Sequence, residues 1–163
     1  MSCPIDSKKV FAYFGFMIGV MPPFALVFKM IGESMPAERV PVLFIILLAA
    51  AGIATGLAGY ATGRFVPSAV NVFSNFSLPN RIAILSLVGF VWGAASGAIG
   101  GLFLFFIGAI FASIAGGIVG AVTVPVMVGF HSALRSGDFI EFKHFLPIAF
   151  GITLSVCALI LGL

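Results

Sequence analysis

Apolar residues along the chain gather into four blocks, separated by short polar stretches. Val10–Met30 and Pro41–Gly63 are each close to the roughly 20 residues that a helix needs to cross a bilayer. Pro147–Leu163 is slightly shorter. The remaining block runs from Ile82 to Phe130, 49 residues without a charge. As one straight helix it would be about 74 Å long, against a hydrocarbon core of about 30 Å. It must fold back, and the mirrored series of small residues described below places the turn at Leu104-Phe105. Each arm then has about 23 residues, enough to cross. A re-entrant hairpin with three other spans is the alternative. The pattern therefore predicts one transmembrane domain, residues 1–163, with spans near 10–30, 41–63, 80–102, 107–130 and 147–163. Pro41, Pro79 and Pro147 fall at or just before a first helical turn, where a missing N–H costs little. Pro22-Pro23 and Pro125 fall inside spans and should kink them.

Two connecting segments, near 65–79 and 136–145, mix apolar and polar residues and are expected to lie in the membrane interface. The first sets Phe65, Val70, Phe73, Phe76 and Leu78 among serines and asparagines. The second carries Asp138-x-x-Glu141, a capping-box pattern, and then Phe139, Phe142 and Phe145 at spacing three. Tyr13 and Tyr60 fall at the same predicted boundary, as in an aromatic belt.

Composition narrows the class. Hydrophobic residues make up 61% and charged residues 8%, and mean hydropathy is +1.26. Soluble domains carry about 25% charged residues. A soluble globular protein, a disordered tail and a nucleic-acid binder are excluded. The charges also orient the chain. With the long block as a hairpin, Lys8, Lys9, Arg64, Arg81, Arg135 and Lys143 share one side, against Lys29 and Arg39. With a single crossing the count is four against four. The positive-inside rule favours the hairpin, with the N-terminus in the cytoplasm and the C-terminus outside, in a bacterial cytoplasmic (inner) membrane. Lys8-Lys9 and the run after it resemble a signal peptide. That run has 21 residues and no A-x-A site, so it reads as an uncleaved span. Cys3 and Cys157 lie in different settings and are not expected to pair.

The fold class is thus an all-α integral membrane protein, a five-span helical bundle with a glycine-lined central helical hairpin. The hairpin carries the strongest motif: Gly89, Gly93, Gly97 and Gly101 on one arm, and Gly108, Ala112, Gly116 and Gly120 on the other. Spacing four puts small residues on one face, where another backbone can approach closely. The two series mirror each other. The residue numbers of 101/108, 97/112, 93/116 and 89/120 each add to 209. The same count sets Trp92 opposite Gly117. Weaker motifs are Gly15-x-x-x-Gly19, Gly52-x-x-x-Gly56, Gly59-x-x-x-Gly63 and Gly151-x-x-x-Ser155. This resembles the general glycine-zipper pattern of membrane hairpins, which unrelated proteins share.

Chemistry is sparse. No ionisable side chain lies deep in a span, whereas ion-coupled transporters usually need one. Thr55, Thr62, Ser86, Ser96, Ser113, Thr123, Thr153 and Ser155 are expected to bond backbone carbonyls or to join helices. Ser96 has no base within reach, because His131 and His144 lie at the helix ends, so no catalytic residue is assigned. No Cys/His spacing fits a metal, and no cofactor is expected. The chain reads as a non-enzymatic accessory or scaffold subunit of a membrane assembly, also able to self-associate. A passive channel or facilitator is the alternative, and a pigment- or haem-bearing subunit using His131 is a third reading. The expected partners are the lipid bilayer and another membrane protein or a second copy. Phe103, Phe105 and Phe106, in a turn with no polar side chain, are the expected partner contacts.

Overall fold

The uncharged block forms two helices, α4 (Leu78–Gly101) and α5 (Phe105–Leu134), joined by a 3₁₀ turn at Leu102–Leu104. The computed structural model describes residues 4–34, 41–72, 76–134 and 139–163. Before the hairpin come α1 (Ser7–Ser34), α2 (Val42–Gly63) and the short α3 (Val66–Val72); after it comes α6 (Phe142–Leu161). Strands β1 (Pro4–Asp6) and β2 (Phe139–Glu141) pair antiparallel, with Ile5 opposite Ile140. Five helices, α1, α2, α4, α5 and α6, are long and apolar enough to cross a membrane.

Helix α6 starts before the expected span. It begins at Phe142, so Pro147 lies inside it rather than at its opening. Glu141 is extended at φ −71, ψ 131, and its side chain caps nothing. The expected capping box therefore does not form at this residue, and Asp138 lies outside the described residues. The Glu141 carboxylate instead pairs with Lys143 Nζ at 2.8 Å. That hydrogen bond, and then the lysine's charge, hold the carboxyl below its ordinary range. The first connecting segment is helical only at Val66–Val72, where Val66 and Val70 are buried while Phe65 and Leu78 are exposed. Cys3, Phe73, Asn75, Arg39 and Arg135 also lie outside the described residues. Helices α1 and α5 remain helical through Pro22-Pro23 and Pro125.

The helices form an arc. Helix α6 packs on α1, α1 on α2, α2 on α4, and α4 on α5, while α5 and α6 touch sparsely. Chain alternation brings the starts of α1, α4 and α6 and the ends of α2 and α5 to one end, called the base here. There the arc is filled. Phe11, Phe14, Leu85, Val124, Met127 and Phe145 form one buried cluster. Buried His131 lies 5.2 Å from the Phe11 ring, and Ser7 Oγ is 3.0 Å from its Nε2. The β1–β2 pair ties the start of α1 to the start of α6. Tyr13 and Tyr60 meet edge-on at 5.9 Å, and Arg64 lies over the Tyr60 ring.

Candidate functional site

In a bilayer, apolar helices have no hydrophobic drive to associate, so packing there depends on how closely surfaces fit. Glycine removes the Cβ that would hold two backbones apart. Along α4 and α5, Gly89 meets Gly120, Gly93 meets Gly116, Gly97 meets Ala112 and Gly101 meets Gly108. A Cβ added at Gly89, Gly93, Gly97, Gly101, Gly116 or Gly120 would come closer than 3.0 Å to a main-chain carbonyl of the opposite arm. Gly108 and Ala112 supply the carbonyls that Gly101 and Gly97 face. Main chain on main chain leaves no flexible side chain to move aside. Trp92 does not face Gly117; the Phe90 ring does. The Trp92 indole turns toward Gly15 of α1 and donates its N–H to Thr62 Oγ1 of α2 at 2.6 Å.

A second close seam joins α1 to α2. Gly15 meets Gly59, Gly19 meets Thr55 and Gly56, and Gly63 meets the Phe11 carbonyl. The isolated motifs on these helices do not reveal this pairing one by one; the mirror relation does, because 15/59, 19/55 and 11/63 each add to 74. Gly100 touches Thr55 and Ala51, which brings α4 onto α2. Gly151 behaves differently: it is exposed, and a Cβ there would meet nothing within 4 Å. Helix α6 instead buries Phe145, Ala149, Thr153 and Cys157, a stripe at spacing four.

Six of the eight span hydroxyls named above are spent locally. Thr55, Thr62, Ser96, Thr123, Thr153 and Ser155 each donate to the carbonyl four residues earlier. Ser96 bonds Trp92 O at 3.0 Å. His144 is exposed and lies 3.6 Å from Glu141, so the two histidines do not face one cavity. Among the described residues, no group of three His, Cys, Asp or Glu side chains could hold a metal.

Away from the base, the arc encloses a cavity of about 160 Å³. Glycine and alanine from α1, α2, α4 and α5 line it, together with Trp92, Pro22-Pro23 and Ile160. Beyond it stands the hairpin tip. Phe103, Phe105 and Phe106 are all exposed, Phe105 to 80%. Phe105 has φ 66 and ψ 176, and it is the one non-glycine residue at positive φ among the described residues. That region is essentially reserved for glycine and costs about 1–3 kcal/mol for a side-chain-bearing residue. Sequence pattern alone does not reveal this strain, since nothing but glycine announces a positive φ.

No family model, curated protein or solved structure matches this chain.

Proposed function

We propose that this chain is a non-enzymatic integral membrane protein that serves as an accessory or scaffold subunit. It docks on a membrane-protein partner, or on a second copy, through the tip of the α4–α5 hairpin. In this reading the base and N-terminus face the cytoplasm of a bacterial cell, and the tip and C-terminus face outward. The observation that carries the reading is Phe105. A large apolar side chain stands 80% exposed on a strained backbone, in a turn without one polar side chain. Strain of this kind persists where surrounding structure or function over-determines it. A partner pocket supplies such a reason, because buried aromatic anchors carry much of the energy of interfaces. The paired glycine seams give the tip a rigid stem.

A passive path finds less support, since the hydroxyls of Thr55 and Ser96 are bonded to their own helices and the aromatic cluster fills the base. A haem ligand at His131 would have to give up the contact of Nε2 with Ser7. The test is native mass spectrometry of the chain extracted gently from its own membranes. A stoichiometric complex that Phe105→Gly dissociates supports the reading. A bare monomer, or a complex indifferent to Phe105→Gly, contradicts it.

A further inference from the structure

We infer that the cavity is a binding site for one acyl chain of an anionic phospholipid, entered sideways from the bilayer between α5 and α6. The inference rests on the chain spanning a membrane, but not on the existence of a protein partner. The cavity of about 160 Å³ is close in size to an apolar cavity of about 150 Å³ that stays dry and takes up benzene or xenon. Its lining gives water nothing to hold. The two hydroxyls that line it, on Thr55 and Ser96, both donate to main-chain carbonyls. Among the described residues, no buried side-chain nitrogen or oxygen lacks a hydrogen-bond partner.

The mouth can be located. Of the residues lining the cavity, Leu26 of α1 and Ala115 of α5 are the exposed ones, and Ile160 of α6 stands partly exposed beside them. Here α5 and α6 touch sparsely, so the wall is incomplete on that side. The medium outside such a mouth is hydrocarbon. An empty void forfeits dispersion contacts on all its walls, and an acyl chain restores them without desolvating any polar group. Lys29 supplies the head-group end. It lies three residues beyond Leu26, on the same face of α1. Its Nζ is 3.8 Å from a Cβ placed on Gly162, two residues beyond Ile160. The ammonium therefore stands above the mouth, and it forms no ion pair among the described residues. A phosphate there would be complementary in charge while its acyl chain fills the cavity.

Trp92 makes the site readable. It is the sole tryptophan, it is buried, and it lines the cavity. Purified protein is reconstituted in mixed phosphatidylcholine and phosphatidylglycerol vesicles in which one lipid at a time carries brominated acyl chains. Brominated phosphatidylglycerol should quench Trp92 fluorescence more strongly than brominated phosphatidylcholine. Ala115→Phe, which plugs the mouth, should remove the quenching. Ile118→Phe, on the exposed face of the same helix, should leave it intact. Lys29→Gln should abolish the difference between the two lipids. Absence of quenching in the parent chain would show an empty cavity and overturn the site, as would equal quenching in Ala115→Phe. Equal quenching by both lipids in the parent chain would overturn the anionic head group.

Discussion

At the scale of single residues, what matters is whether a position has room for a side chain. Gly97 and Gly116 lie where a carbonyl of the opposite arm occupies the space of a Cβ. Gly97→Leu or Gly116→Leu must separate two backbones. Overpacking costs about 1–3 kcal/mol in soluble cores, and denaturation of the purified protein should show at least that loss. Ile99→Leu, on the exposed side of α4, should be nearly silent. Equal tolerance at all three positions would mean that the seam does not hold the arms together. Phe105 presents the reverse case, a bulky residue where glycine would be relaxed. Phe105→Gly should raise the stability of the isolated chain by about 1 kcal/mol, toward the lower end of the strain, because added glycine flexibility offsets part of the gain. The same denaturation assay reads it, and a loss of stability would remove the claim of strain.

At the scale of elements, the helices are legible because long uncharged runs and their bounding charges define them. Register is legible where small residues recur on both partners. On α4 and α5 the spacing-four series leaves one alignment in which small meets small at each level. Large residues are less readable. Trp92 turns away from the hairpin because its indole N–H finds Thr62 on a different helix, and spacing within one block cannot reveal that. Strand β2 is equally hidden. Phe139–Glu141 carries helix-like spacing, yet it pairs with β1 at the far end of the sequence. A small-xxx-small motif likewise does not declare whether it is used. Gly15-x-x-x-Gly19 is closed by α2, whereas Gly151-x-x-x-Ser155 lies open. Gly15→Leu should therefore destabilise the bundle by about 1–3 kcal/mol or more. Gly151→Leu should change stability by less than about 0.5 kcal/mol, the usual range for surface positions. Comparable losses at both would contradict the arc, since Gly151 would then have to be covered.

At the scale of the whole molecule, the base is filled and the opposite half is not. Aromatic side chains and the strand pair close one end; glycine and alanine leave a cavity below an apolar tip. Composition announces a bundle of helices apolar enough to cross a membrane, but not which end is packed. That depends on where the helices diverge, and no local pattern records it. The orientation proposed from the lysines and arginines is open to a direct check. Reporter fusions after Asn75 and Arg135 should score cytoplasmic, and fusions after Ser34 and Leu163 external. An external score after Arg135 would reverse the hairpin assignment. The proposal that the tip is a docking point meets its sharpest test in one labelling experiment. Phe105→Cys, in a background with Cys3 and Cys157 replaced by serine, is exposed to a membrane-impermeant maleimide in native membranes and in vesicles of purified protein alone. Docking on another protein predicts slow labelling in native membranes and fast labelling in the vesicles, where that partner is absent; docking on a second copy predicts slow labelling in both that becomes fast as the purified protein is diluted into excess lipid. Fast labelling in both would show a bare tip, slow labelling in both that dilution does not relieve would show a tip sunk in lipid, and either result would contradict docking.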